Sequence, residues 1–221
     1  MDVIEAIRTR ISARAFLDQP VARETIEGLL EVARWAPSGG NLQPWHVVAV
    51  TGETQRRIGD RIIAAHEAGI EARSEHTNYP REWFEPYKSR RRATGFALYG
   101  AMGIARDDTQ RRKEAWYRNF RFFDAPVGLM FFVDRRLGRG SWTDMGMFLQ
   151  NLMLAAMAEG LATCAQASVA DYPDIVREAT GMPADFDLIC GMSLGYPDTA
   201  AAVNNYRTER AGVAEFTTWC E

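Results

Sequence analysis

Arginine residues cluster near the two ends of this 221-residue chain. Arg10 and Arg14 flank Ser12 near the start, and Arg207 and Arg210 lie close to the end. Guanidinium groups offer forked donors that match phosphate oxygens, so arginines and a hydroxyl that converge from distant parts of a chain suit a phosphate group. The alternative is that these arginines are only surface charge. If they serve one ligand, the fold must bring the two ends of the chain together.

A segment between the two ends, APSGGNLQPWH at 36–46, has the composition of a rigid loop. Its glycines allow close backbone approach, Ser38 and Asn41 can form hydrogen bonds, and the two prolines limit its flexibility. Such a loop suits the planar part of a nucleotide cofactor. The same residue types also form ordinary turns. We favour the cofactor interpretation because Gln43, Pro44 and Trp45 lead directly into a predicted strand.

Taken together, these segments resemble the flavin-dependent nitroreductase family. The family typically carries Arg-Arg-Ser-x-Arg-x-Phe, then Pro-Ser-x-x-Asn-x-Gln-Pro-Trp, then a glycine-leucine helix end and a C-terminal arginine. All four features are present here in this order, and the match spans nearly the whole chain. Two positions depart from the pattern: Ile11 replaces a common second basic residue, and Thr208 stands where some relatives have lysine.

The resemblance implies an α+β fold, with a central mixed, mainly antiparallel sheet flanked by helices. It also implies an intertwined homodimer with C-terminal strand exchange and two FMN molecules at its interface. The implied activity is reduction of nitroaromatic or quinone-like compounds, with NAD(P)H as electron donor in a ping-pong mechanism. Flavin-dependent dehalogenation, a flavin-processing reaction of the same fold, and a non-catalytic flavin-binding role remain alternatives.

By the same resemblance, Arg10 and Arg210 would bind the FMN phosphate, and Arg14 would lie beside the N1 and C2-carbonyl edge of the flavin. No catalytic side chain is predicted, because flavin N5 carries the chemistry. The loop at 36–46 could reach the flavin of the facing subunit, and the backbone after the glycine-leucine helix end would face N5 and O4. The predicted cofactor-binding residues are Arg10, Ser12, Arg14, Pro37, Ser38, Gly39, Asn41, Ala165, Gln166, Ala167, Arg207 and Arg210.

The segment from residue 79 to 123 holds nearly half of the chain's aromatic residues. Most of them are explained by helix packing, but some could line a channel in which flat substrates stack. The candidates for this channel are Trp83, Phe84, Tyr87, Phe120 and Phe123. The segment also carries a basic set, of which one member could bind the 2′-phosphate of NADPH, although charge runs are usually solvated faces. This set is Arg90, Arg91, Arg92, Arg111, Arg112 and Lys113.

The formal net charge of −3 argues against a nucleic-acid partner, which would favour a basic excess. No apolar run approaches the ~20 residues of a membrane-spanning helix, so we expect a cytoplasmic protein without a membrane partner. The three cysteines indicate reduced thiols, and the three histidines are too scattered for a metal site. Cys164 is expected to be a packed strand residue rather than a nucleophile, because no cationic partner lies nearby in the sequence.

The chain is predicted to be a single domain over 1–221, with a helical substrate-channel insertion at about 66–125. Apolar residues at helical spacing predict helices at 2–10 and 22–35, and further helices are predicted at 143–159 and at 171–180, the last ended by Gly181 and Pro183. Compact apolar runs predict strands at 45–51 and 126–133, both of which look central. Further strands are predicted at 162–169 and 187–194, with a strand-like end at 216–219 that could pair with another subunit. The helix at 143–159 is apolar on nearly every side, which favours a place in a subunit interface.

Overall fold

The computed structural model describes residues 2–220 and has a four-stranded sheet at its centre. The strands are β1 (His46–Thr51), β2 (Val127–Asp134), β3 (Ala162–Gln166) and β4 (Phe186–Gly195). Their order across the sheet is β1-β2-β4-β3, and every neighbouring pair is antiparallel. A single parallel bridge joins Ser12 to Thr163 at the outer side of β3. The predicted mixed, mainly antiparallel sheet is therefore confirmed.

Eight α-helices accompany the sheet in the described part of the chain. They are α1 (Val3–Thr9), α2 (Arg23–Ala33), α3 (Gly52–Glu67), α4 (Tyr87–Ala101), α5 (Thr109–Tyr117), α6 (Gly140–Ala158), α7 (Pro173–Thr180) and α8 (Val213–Phe216). The helices predicted at 2–10, 22–35, 143–159 and 171–180 correspond to α1, α2, α6 and α7, with ends shifted by a few residues. No helix within residues 2–220 is both long and apolar enough to cross a membrane.

Strand β2 is buried on both faces, which places helices on both sides of the sheet. Successive side chains of a strand point to opposite faces. Leu129 and Phe131 accordingly pack in the core that includes α2 and α6, whereas Met130 and Phe132 pack in the core that includes α3 and α7. The sheet is thus a middle layer between two helical layers.

Strand β1 lies at an edge of the sheet, so the prediction that it is central was wrong. Its apolar character has another cause. Val47 packs on the core of α2 and α6, whereas Val48 and Val50 pack on the core of α3 and α7. Because helices cover both faces of the sheet at this edge, an edge strand here can be as apolar as a central one.

The C-terminal segment also differs from its prediction within the single chain. Residues 213–216 form one turn of helix, α8, and residues 217–220 have no regular structure. Strand β3 ends at Gln166, three residues earlier than the apolar run suggested, because Ala167–Asp171 forms a 3₁₀ turn. A segment forms a strand only where the edge of another strand is available to pair with it, and the local sequence pattern does not show whether such an edge is present.

Helix α6 buries one face and leaves the remainder partly accessible. Its fully buried apolar residues include Met145, Phe148, Leu152 and Ala156, which recur at helical spacing. Leu154, like most of the other apolar residues of α6, is only half-buried in the single chain. The apolar surface of α6 therefore exceeds what its own chain covers.

Candidate functional site

The two ends of the chain meet around a cavity of about 470 Å³, which we call the arginine cavity. It lies where α1 ends, beside the segment that follows a 3₁₀ turn at Ala202–Asn204. Its lining consists of Ile7, Arg8, Arg10, Ile11, Ser12, Arg14, Thr94, Val203, Asn204, Tyr206, Arg207, Thr208 and Arg210. The five sequence-predicted residues from the chain ends are all among them. Arg8, Asn204 and Tyr206 join them without having been predicted.

The side chain of Asn204 fixes the first arginine segment against the last one. Its Oδ1 accepts a hydrogen bond from the backbone N–H of Arg14 at 2.8 Å. Its Nδ2 donates to the carbonyl oxygens of Ala15 and Asp198, each at 2.8 Å. Asn204 is only 5% exposed, so these bonds are shielded from water. Sequence reasoning missed Asn204 because it lies in a tail without periodicity.

The arginine cavity concentrates positive charge that no acidic side chain neutralises. Within residues 2–220, no carboxylate oxygen lies within 4 Å of a guanidinium nitrogen of Arg8, Arg10, Arg14, Arg207 or Arg210. Arg210 instead donates to the neutral oxygens of Thr208 and Glu209. Burial lowers the pKa of Arg10, and the nearby charge of Arg210 lowers it further. Such a cluster favours an anion in the cavity.

Arg14 is held in one place by three contacts. Its Nη1 donates to the carbonyl of Ser12 at 3.1 Å and to the hydroxyl of Tyr206 at 3.2 Å. The centre of its guanidinium lies 5.8 Å from the ring centroid of Phe123, within cation–π range. Phe123 is buried, so the ring is a support beneath Arg14 rather than an open surface.

A thiol lies close to the same arginines. Cys164 in β3 is buried, and burial raises the pKa of its thiol, although Arg14, Ser12 and Arg10 partly oppose the shift. Arg10 and Arg14 are therefore close to Cys164 in space, although no cationic residue lies near it in the sequence. Because burial dominates, the group is a neutral thiol at ordinary pH, which agrees with a packing role.

The loop at 36–46 does not line the arginine cavity. The backbone N–H of Gly39 faces the carboxylate of Asp144 in α6, at 3.3 Å from each oxygen. Ser38 Oγ accepts from the backbone of Gln43 at 3.0 Å, which stabilises the loop internally. Pro37, Gly39 and Asn41 are exposed. The loop is thus attached near the beginning of α6 and presents an open surface.

The opposite end of α6 lies next to Arg10. Met157, near the end of α6, lines a small cavity of about 210 Å³ together with Arg10. Asp144 and Met157 are thirteen positions apart in the sequence, and a helix rises about 1.5 Å per residue, so the two contacts are roughly 20 Å apart. Within one chain, the loop and the arginine cavity therefore lie at opposite ends of α6.

The third predicted segment lies at the end of β3. The side chain of Gln166 is 3% exposed and fully engaged, since it accepts from Ser193 Oγ at 2.7 Å and donates to the carbonyl of Asn119. Ala165 is exposed, and Ala167 is half-buried. Because the polar side chain of Gln166 is engaged within the chain, a hydrogen bond from this segment to a ligand would come from its backbone. The main-chain contact expected from the sequence stays a prediction.

The five predicted channel residues fall into two groups. Phe84 and Tyr87 are exposed at the beginning of α4, with their rings 5.2 Å apart, and Trp83 beside them is half-buried. Phe120 is 0% exposed and packs edge-on against Trp116, which argues against a role as channel lining. Phe123 is likewise buried, beneath Arg14.

Comparison with known proteins gives consistent matches. The family model described as "Nitroreductase family" matches residues 7–196. A chloronitrobenzene nitroreductase from Comamonas testosteroni is 40% identical over 216 residues, which cover 97% of this chain and 95% of the relative. The crystal structure of the FMN- and NADPH-dependent nitroreductase NfnB from Sphingopyxis sp. strain HMH is 40% identical, covers 100% of both chains and superposes with a TM-score of 0.96. The FMN-dependent NfnB from Mycobacterium smegmatis, solved in complex with NADPH, is 35% identical, with a TM-score of 0.92 and coverage of 99% of this chain and 97% of that one.

The geometry of Asn204 predicts a large loss of stability in Asn204→Ala. The variant would remove three part-buried hydrogen bonds and leave the N–H of Arg14 without an acceptor, although the carbonyls of Ala15 and Asp198 keep their bonds from the backbone N–H groups of Asp198 and Ala201. This loss should lower the free energy of unfolding by about 2–4 kcal/mol. Urea unfolding measures this change. Asn205→Ala is the matched control, because Asn205 is exposed and donates only to Thr199 and Ala201. Equal effects of the two variants would contradict the role assigned to Asn204.

Proposed function

The chain belongs to the nitroreductase family, and from this premise we propose that it is an FMN-dependent oxidoreductase that uses NAD(P)H to reduce nitroaromatic compounds in a ping-pong mechanism. The observation that carries the proposal is the cluster of un-neutralised guanidinium groups in the arginine cavity. Guanidinium groups brought together in this way repel one another unless an anion lies between them. The phosphate of FMN is such an anion.

The residues present fit the cofactor by their chemistry. Arg10, Arg207 and Arg210 offer forked donors for a phosphate, and Ser12 adds a hydroxyl. The volume of about 470 Å³ lies in the range of small-molecule sites. Thr208, at the position where some relatives have lysine, donates no charge, so we assign the additional positive charge at the phosphate to Arg207.

The remaining residues bind and orient rather than transfer protons. When bound, FMN supplies hydride and electron transfer at N5. Arg14 places a fixed positive charge for the N1 and C2-carbonyl edge, where negative charge accumulates on reduction. Its three contacts keep that charge in place. The backbone at 165–167 offers N–H donors, and half-buried Trp83, together with exposed Phe84 and Tyr87, offers stacking surfaces to flat substrates.

We further propose that the active form is a homodimer in which each site is shared. The loop at 36–46 and the arginine cavity are separated by the length of α6, so one chain does not present both to the same flavin. Two copies packed along α6 about a two-fold axis would bring the loop of one to the arginine cavity of the other. The half-buried apolar surface of α6 and the exposed Val3 and Ile4 of α1, at 60% and 53%, support this arrangement. The open edge of β1 is available to a partner's C-terminal segment.

The direct test of the function is a visible absorption spectrum followed by an anaerobic titration. We expect a yellow protein that NADPH or NADH bleaches and that 4-nitrobenzoate then restores. A panel of halogenated, quinone and nitroaromatic acceptors separates this activity from dehalogenation and from a flavin-processing reaction. A protein that binds FMN but is not reduced by either nicotinamide would be a binding protein. A protein that stays colourless after incubation with FMN would overturn the proposal.

Removing a phosphate-binding arginine should weaken FMN binding. Arg10→Ala and Arg210→Ala each remove a charge-assisted contact worth about 1.5–3 kcal/mol, so the dissociation constant should rise about ten- to a hundredfold. Titration of the apoprotein by flavin fluorescence measures the change. Arg23→Ala is the control, because Arg23 is exposed and pairs with Glu27 on α2. Undiminished affinity in the Arg10/Arg210 double variant would exclude the phosphate assignment.

The shared site predicts complementation between two defective subunits. One carries Arg10→Ala and Arg210→Ala, and the other carries Asn41→Gly, in which glycine tolerates the backbone φ of 56° at this position. Each homodimer should bind FMN weakly. In a co-expressed mixture, each heterodimer has one site with intact arginines and an intact loop, so about a quarter of all sites should recover wild-type affinity. Recovery of none would indicate a site built within one chain.

A further inference from the structure

The six basic side chains predicted as candidates for the NADPH 2′-phosphate lie on α4 and α5, and the structure gives three of them a local partner. Arg90 lies 3.2 Å from Glu215, and Lys113 lies 3.5 Å from Glu67. Arg111 donates to the carbonyl of Gly103 and lies 3.8 Å from Asp108. Over the described range 2–220, the other three have no carboxylate oxygen within 4 Å: Arg91, Arg92 and Arg112. These three retain a charge that an anionic ligand could use.

Helical geometry singles out Arg91 among the three. Thr94 of α4 lines the arginine cavity. Residues three or four apart share a helix face, so Arg91 lies on the face of Thr94, about 4.5 Å further along the axis. Arg92 is rotated by about 160° from Thr94 and lies over Phe96. Arg112 belongs to α5 and lies over Tyr99, which is rotated by about 140° from Thr94.

Arg91 is also already ordered against an aromatic side chain. Its guanidinium lies 4.8 Å from the ring centroid of Trp83, and the ring of Tyr79 lies 5.6 Å from that of Trp83. Arg91 is exposed, so its donors face solvent. A cation held over an indole loses less side-chain freedom on binding a ligand than a free arginine does. Trp83 and Arg91 therefore present a planar surface and a forked donor side by side.

We propose that Trp83 and Arg91 form a subsite for the 2′-phosphoadenosine end of NADPH. This inference rests on the proposed function and deepens it, because it assigns the choice of electron donor. The 2′-phosphate is the group that distinguishes NADPH from NADH, and a guanidinium matches it with two parallel hydrogen bonds. The adenine ring stacks against the Trp83–Arg91 pair. In NADPH, the pyrophosphate linker separates the 2′-phosphoadenosine end from the nicotinamide that must reach the flavin. The subsite for the 2′-phosphoadenosine therefore belongs outside the arginine cavity, where Arg91 lies on α4.

The test compares Arg91→Gln with Arg92→Gln in the holoenzyme. The two variants lose the same charge from the same helix, but on different faces. We expect Arg91→Gln to lower kcat/KM for NADPH about tenfold or more and to leave that for NADH within about twofold. Arg92→Gln should change neither. Calorimetric titration with 2′,5′-ADP gives a readout that is independent of turnover. Its affinity should fall about tenfold in Arg91→Gln and stay unchanged in Arg92→Gln. The affinity for 5′-AMP, which lacks the 2′-phosphate, is the comparison and should stay unchanged in both variants.

Two results would overturn the subsite, and a third would overturn only the proposed function. Equal losses with NADPH and NADH, or an unchanged ratio between them, would show that Arg91 does not bind the 2′-phosphate. A loss confined to 4-nitrobenzoate, with nitrobenzene unaffected, would assign the anionic contact to the acceptor instead. If the wild-type protein oxidises neither nicotinamide, the proposed function fails, and the 2′,5′-ADP titration still decides the subsite separately.

Discussion

Mutual repulsion among the arginines of one cavity is the constraint on which the site depends. Arg10 and Arg210 come from opposite ends of the chain, and no acidic side chain within residues 2–220 neutralises them. Neutral contacts therefore hold the two ends together, above all the three hydrogen bonds of Asn204. The backbone bonds from Ala13 to Thr163 and from Leu17 to Tyr196 attach the first segment to the sheet region on the same side. Hydrogen bonds between neutral groups thus hold the two chain ends in place, and the positive charge of the arginines remains available to an anionic ligand.

The length of α6 determines how the parts of the site can combine. This helix contacts the glycine-rich loop through Asp144 at one end and contributes Met157 beside Arg10 at the other. Because α6 is rigid, the loop and the arginine cavity of one chain stay apart. If a second chain packs with its α6 antiparallel to the first, the loop of each chain lies beside the arginine cavity of the other. The same helix carries the apolar surface that its own chain leaves half-buried. One element thus accounts for both the separation of the two parts and the surface through which a partner would reunite them.

Local sequence patterns predicted the elements well and their spatial relations less well. Periodicity located α2, because its buried face recurs at helical spacing. Continuous apolar runs located α6 and β2. Neither pattern showed that β1 is an edge strand, since strand order is set by long-range pairing. The chemistry of phosphate binding predicted that Arg10 and Arg210 meet, but nothing marked Asn204 or Tyr206 in a tail without pattern. Aromatic content likewise identified Phe120 without revealing that it points into the core.

The support beneath Arg14 comes from a strained turn. Phe122, Phe123 and Asp124 all have positive φ, at 54°, 54° and 65°, a region that costs a non-glycine residue roughly 1–2 kcal/mol. Packing holds Phe122 in place, because its ring fills the space beside Gly128 and Gly191, where added Cβ atoms would lie 2.9 Å and 3.4 Å away. Asp124, at the exposed side of the turn, pairs with Arg118 at 3.0 Å. The residue between them, Phe123, is thereby directed at Arg14. A cation that must stabilise charge on a neighbouring ring is effective only if it cannot move away, so the strain in the turn is consistent with the placement of that charge.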